Sequence, residues 1–189
     1  MTSADEQPQI RCLCLDVDGV LTDGIVWVDD EGRGARRFHV HDGFAIKCFQ
    51  GQGGRVMICS GKRSAAVAAR MEELGITDVI QDSRDKLTDV QAVLRTLGLS
   101  LSELAVMGDD LPDIPLMRAC AMPIAVANAV DEVKSVARLV TKRPGGQGAV
   151  REAIEWLMKS SGHWPRVLSR YGATPGPAAG GQDTVPDGS

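Results

Sequence analysis

The chain has 189 residues and a mass of 20.1 kDa, enough for one domain with a full hydrophobic core. Hydrophobic residues are 43% and charged residues 24%, the composition of an ordinary globular protein. The net charge of −4 excludes the broad basic face of a nucleic-acid binder, so an anionic ligand must be met by a few local cations or a metal.

Residues 1–9 are polar and acidic, unlike a signal peptide, and read as a flexible N-terminus. No apolar stretch is long enough to span a bilayer, so no membrane association is expected. The five cysteines, at 12, 14, 48, 59 and 120, show no Cys-x-x-Cys spacing and several sit in apolar runs. They read as reduced, buried thiols in the cytoplasm.

Residues 10–15 form an apolar run, broken by Arg11 and stopping at Asp16, the pattern of a strand covered on both faces. Residues 25–28 and 36–40 flank the turn-rich segment 29–34, which predicts a β-hairpin insert over about 24–41. His39 and His41 share a face of that expected strand. Their spacing suits a metal, but with no third ligand nearby a solvated or interfacial edge is the better reading. Asp42-Gly43 opens the next helix.

A second apolar run, 56–59, stops at Ser60-Gly61 and is followed by a helix over 63–74 with Val67, Met71 and Leu74 on one face. A short strand at 78–80 precedes a helix over 83–97, carrying Leu87, Val90, Leu94 and Leu97 at helical spacing. The run 104–107 stops at Gly108-Asp109-Asp110. A short helix (111–119), a strand (123–127), a helix (131–138), residues 139–140 and a last helix (149–159) complete the order. This alternation predicts an open parallel α/β sheet flanked by helices, one domain over 10–162, with a disordered Gly/Pro-rich tail over 163–189.

Ligands of parallel α/β sheets bind at the carboxyl ends of the strands, and Asp16, Ser60 and Asp109 each follow such an end. A carboxylate there suits attack on phosphorus to give an aspartyl-phosphate, provided cations offset the repulsion between anions. Asp16 and Asp109 offer hard oxygens to Mg²⁺. Asp18, two residues on, is placed to exchange a proton with the leaving oxygen and then with water. Ser60 offers a hydroxyl to a phosphate oxygen, although Ser-Gly alone serves equally as a helix cap. Lys86 is a candidate for neutralising charge on the phosphoryl oxygens, or an exposed helix lysine. Asp110 suits the N-cap of the short helix. Gly145-Gly146-Gln147-Gly148 reads as a phosphate cradle or as a plain loop before the last helix.

Asp16-Val17-Asp18-Gly19-Val20, Ser60-Gly61, Lys86 and Gly108-Asp109-Asp110-Leu111-Pro112-Asp113 together resemble, in order and spacing, the motifs of the haloacid dehalogenase-like phosphatases. The resemblance implies a Rossmann-like core without a large cap domain, Asp16 as nucleophile, Asp18 as general acid and base, and Lys86 as the cation beside them. It also implies Mg²⁺ held by Asp16, the Asp18 backbone carbonyl and Asp109, with Asp110 and Asp113 as ligands or as partners behind the ligands.

Leu21-Thr22-Asp23-Gly24, Asp42-Gly43 and Gly145 through Glu152 are similar to one branch, the 3-deoxy-D-manno-octulosonate 8-phosphate phosphatases and their relatives acting on sialic-acid-type phosphates. That similarity implies a small-molecule sugar-acid phosphate as substrate and a place in lipopolysaccharide biosynthesis. It also implies a homotetramer assembled through its hairpins, and Ser60, Gly61, Lys62, Asp42 and Gly43 as substrate- or phosphate-binding residues. Lys62, His41 and Gln147 stand where the octulosonate branch usually or frequently carries Arg, which keeps N-acylneuraminate or ketodeoxynonulosonate 9-phosphate as the alternative substrate. A catalytically silent scaffold of the same fold is the non-enzyme alternative.

Overall fold

The computed structural model describes residues 9–173; the flexible N-terminus expected over 1–9 lies almost wholly outside these, as does most of the expected tail. Its centre is a parallel six-stranded sheet in the order β5-β4-β1-β6-β7-β8. The strands are β1 (Cys12–Leu15), β4 (Arg55–Cys59), β5 (Asp78–Ile80), β6 (Leu104–Gly108), β7 (Met122–Ala125) and β8 (Leu139–Val140). β1 and β6 are buried along their whole length, which is why they are written as unbroken apolar runs.

From β1 the chain steps to β4 and β5, then returns to the other side of β1 and continues through β6, β7 and β8. The step out is made by α1 (Val40–Gly51) and α2 (Ala65–Glu73). The return and continuation use α3 (Lys86–Thr96), α4 (Ile114–Ala119) and α5 (Asp131–Val136). Right-handed crossovers therefore put α1 and α2 on one face and α3, α4 and α5 on the other. The reversal at β1 opens a crevice beyond the carboxyl ends of β1, β4 and β6. α6 (Ala149–Ser160) packs against α1 with Val150, Ala153, Ile154, Leu157 and Met158 buried.

Three expectations are corrected. The hairpin is shorter than its apolar flanks suggested: β2 (Trp27–Val28) pairs with β3 (Gly34–Ala35), and Asp29 closes the turn by accepting from the backbone N–H groups of Glu31 and Arg33. His39 and His41 are not strand neighbours. His39 caps α1, with its Nδ1 accepting from the His41 N–H at 3.3 Å, so helix-capping chemistry overrode the apparent alternation. A further helix, α7 (Trp164–Arg170), occupies the start of the expected tail, where burial of Trp164 and Val167 outweighs the polar residues between them. Residues 174–189 lie outside the described residues.

Candidate active site

Asp16 leaves the end of β1 and the chain turns at once through Val17–Leu21. Gly19 adopts φ +100° there, and a Cβ at this position would overlap the Asp109 carboxylate, so only glycine lets the turn approach β6 so closely. The buried Thr22 hydroxyl ties the turn down, donating to the Val17 carbonyl at 3.2 Å and accepting from Gly19 and Gly24 N–H groups at 3.3 Å. The glycine-rich segment before α6 is its brace: Gly146 N–H donates to the Val20 carbonyl at 2.9 Å, and Gly145 N–H to Asn128 Oδ1 at 2.8 Å. A side chain at Gly145 would collide with the Gly19 carbonyl.

Leu15 pairs with Ile58 on one side and Met107 on the other, so Asp16, Ser60 and Asp109 follow a common level of three adjacent strands. Asp16, Asp109 and Asp113 each present a carboxylate oxygen, and these oxygens lie within 4.8 Å of one another. Lys86 enters from the first turn of α3. Its Nζ donates to Asp16 Oδ1 at 2.7 Å and to Asp113 Oδ1 at 2.6 Å, with all three side chains buried. The other oxygen of Asp113 accepts from the N–H groups of Asp109 and Asp110, at 3.0 and 3.4 Å. Asp113 therefore orients both Lys86 and the backbone that carries Asp109. Asp110, exposed, caps the short turn Leu111–Asp113.

The site carries more negative than positive charge. Burial pushes the Asp109 carboxyl up to about 7, and the neighbouring carboxylates of Asp16, Asp113 and Asp110 add to the rise. Burial likewise raises Asp16 to about 6, against the pull of Lys86 and with the repulsion of Asp113. The same two carboxylates hold the Lys86 ammonium firmly charged despite its burial. Hard oxygens at close range, under-neutralised by one lysine, are a donor set that fits Mg²⁺.

Asp18 faces a different cation. Arg36, just beyond β3, grips its carboxylate through Nε at 2.7 Å and Nη2 at 3.2 Å, and donates from Nη1 to Ser64 Oγ at 2.9 Å. Sequence reasoning missed Arg36, whose only visible signal is a pair of arginines where the hairpin rejoins the core.

Ser60 is buried past β4, its Oγ accepting from the Lys62 N–H at 3.3 Å. It does not cap α2; Ser64 occupies that position. Gly61 and Lys62 are exposed in the same loop. Asp42 and Gly43 have structural partners. Asp42 Oδ1 accepts from the Arg151 N–H at 2.7 Å and joins α1 to the start of α6, while a Cβ on Gly43 would run into Arg70 and Leu74 of the α2 segment. Among the described residues no helix is long and apolar enough to cross a membrane.

Residues 75–154 match the model of a haloacid dehalogenase-like hydrolase family. The 3-deoxy-D-manno-octulosonate 8-phosphate phosphatase of Yersinia pestis is 37% identical over 149 residues, 79% of this chain and 80% of that protein. The Escherichia coli K12 enzyme of the same name is 37% identical over 153 residues, 81% of each chain. Among solved structures, the same phosphatase from Moraxella catarrhalis, in complex with magnesium ion, phosphate ion and KDO, superposes with a TM-score of 0.85 at 34% identity. It covers 87% of this chain and 95% of that one. The cobalt-bound Haemophilus influenzae phosphatase matches with a TM-score of 0.81 at 31% identity, over 87% and 95% of the two chains.

Proposed function

Since the chain belongs to the haloacid dehalogenase-like phosphatases, in the branch of the 3-deoxy-D-manno-octulosonate 8-phosphate phosphatases, we propose that it hydrolyses 3-deoxy-D-manno-octulosonate 8-phosphate to the free sugar acid and phosphate. The observation that carries this reading is the buried Asp16–Lys86–Asp113 relay, with Asp109 beside it at the carboxyl ends of the central strands.

Lys86 holds Asp16 through Oδ1 and fixes the rotation of the nucleophile, so that its attack on phosphorus is pre-oriented. Asp16, Asp109 and the Asp18 backbone carbonyl are the residues to hold Mg²⁺, which when bound offsets the repulsion between a carboxylate and a phosphate dianion. Asp18 gives a proton to the leaving sugar oxygen, then takes one from the water that cleaves the aspartyl-phosphate. Ser60, with the backbone of Gly61 and Lys62, receives the phosphoryl oxygens, and the exposed Lys62 ammonium faces the anionic substrate.

The hairpin bears Ile25, Val26, Trp27 and Val28 with side chains largely in solvent, Trp27 at 68% exposed. Such a contiguous apolar strip fits burial against other copies of the chain, and we read the assembly as a cytoplasmic homotetramer. Phosphate release over a panel of sugar phosphates with Mg²⁺ tests the substrate. Higher kcat/KM on a nonulosonate 9-phosphate would replace the octulosonate. Asp16→Asn should abolish turnover while leaving the melting transition in place. Full activity in that variant would overturn Asp16 as the nucleophile, whereas no turnover of any phosphate ester by the wild type would overturn the enzyme reading in favour of a silent scaffold.

A further inference from the structure

Arg36 belongs to the hairpin insert by sequence, yet its side chain is only 9% exposed, close to the 8% of Lys86. An arginine on a solvent-exposed arm would ordinarily leave its head in water. Here three guanidinium nitrogens are committed inward, two to Asp18 and one to Ser64 at the N-terminus of α2. The fork holds the Asp18 carboxylate at both oxygens, and Ser64 holds the fork. A lone carboxylate three residues beyond a strand end is free to rotate; this one is not.

We propose that Arg36 is a positioning residue for proton transfer by Asp18, so that the hairpin supplies part of the reaction geometry. The inference rests on the phosphatase reading above. The two contacts are unequal: Nε lies 2.7 Å from Oδ1 and Nη2 lies 3.2 Å from Oδ2. Both oxygens are held, Oδ1 at the shorter distance, so the plane of the carboxyl group is fixed while the proton is exchanged. In the first half-reaction an Asp16 oxygen bonds to phosphorus as the bond from phosphorus to the sugar oxygen breaks. The departing electron pair stays on the sugar oxygen, which takes the proton from the Asp18 carboxyl group and leaves as the alcohol. In the second, Asp18 as carboxylate takes a proton from water while the water oxygen bonds to phosphorus. The Asp16–phosphorus bond then breaks, restoring the Asp16 carboxylate and releasing phosphate.

A residue that acts through the general acid matters only where the leaving group needs a proton. The test compares kcat/KM with Mg²⁺ for wild type, Arg36→Met and Arg36→Lys on two esters: the sugar phosphate the wild type turns over, and p-nitrophenyl phosphate. The nitrophenolate leaves without protonation, and kcat/KM ends at the first irreversible step, so water attack does not enter. Arg36→Met should lose roughly 100-fold on the sugar phosphate, the scale of a misplaced catalytic group, while nearly keeping its rate on the aryl ester. Arg36→Lys, charged but unable to fork, should recover part of the sugar phosphate rate. The aryl ester doubles as the folding control. Equal losses on both esters would mean a scaffold role and overturn the proposal, as would unchanged rates on both. A raised KM with unchanged kcat on the sugar phosphate would make Arg36 a substrate contact instead, and also overturn it. Wild type alone reports on the phosphatase reading; the ratio between esters reports on Arg36.

Discussion

The ammonium of Lys86 stands 2.7 Å from Oδ1 of Asp16, across seventy positions of sequence, and the same nitrogen reaches Asp113 at 2.6 Å. One cation thus joins the end of β1 and the short turn after β6 to the first turn of α3, inside a space where an unpaired charge is costly.

Lys86→Met should therefore damage fold and function together. Removing one partner of a buried ionic group costs about 3–5 kcal/mol, here because Asp16 and Asp113 are left facing each other. Urea unfolding should show that loss in EDTA and a smaller one in excess Mg²⁺, which replaces part of the missing positive charge. Turnover should stay at least ~100-fold down even in Mg²⁺. Unchanged unfolding in EDTA would mean that the relay carries no weight in the fold.

The metal-free protein should lose stability as pH rises. Asp16 at about 6 and Asp109 at about 7 lie above their unfolded values, so the folded protein binds more protons than the unfolded chain between those limits. The stabilising contribution is full below the unfolded values, near pH ~4, and is lost as pH climbs through about 6 to 7. Lys86 does not oppose this trend, because its charge is constant across the window. Mg²⁺ competes with those protons, so the rise in Tm on adding Mg²⁺ should be small near pH ~5 and larger near pH ~8. Thermal melts in EDTA and in Mg²⁺ across that range check it, and a rise independent of pH would contradict it.

Gly19→Ala places a methyl group against the Asp109 carboxylate and forces a non-glycine residue to φ +100°. The backbone strain alone costs about 1–3 kcal/mol. Displacing Asp109 should also weaken Mg²⁺ binding, so the Mg²⁺ concentration for half-maximal activity should rise by at least ~10-fold. Titration of activity against Mg²⁺ reads this out. A loss of stability with unaltered Mg²⁺ dependence would place the carboxylate elsewhere.

Trp27→Asp puts a charge on the hairpin's apolar strip without touching the core. In the proposed tetramer it should lower the assembly mass measured by light scattering. The intrinsic stability of the subunit should change by no more than ~0.5 kcal/mol, as for other exposed positions. An unchanged assembly mass would move the interface away from the hairpin.

The backbone plan and much of the candidate site were legible without coordinates. β1, β6 and, past Arg55, β4 are buried on both faces, so those residues must be apolar in unbroken runs, and each run gives way to a polar residue that must then lie at the sheet's carboxyl edge. That local rule singled out Asp16, Ser60 and Asp109, and helical spacing set Lys86 at the head of α3. Local rules also explain the failures. The apolar flanks of the hairpin look alike whether they pair as strands or await a neighbour, and α7 is too short for its two buried residues to stand out from a polar tail.

What Asp16, Lys86 and Asp113 do to one another was decided only by the order of strands. That order is set by crossover handedness and by the burial of helices on each face, neither of which is written at any single position. The same holds for the Arg36 fork on Asp18 and for Asp42, whose partner is a backbone N–H in α6. The sequence by itself determined which residue types stand at the strand ends, because periodicity and burial act over a few residues. The tertiary structure alone decided which charges meet, because ion pairing acts through space between segments that only folding brings together.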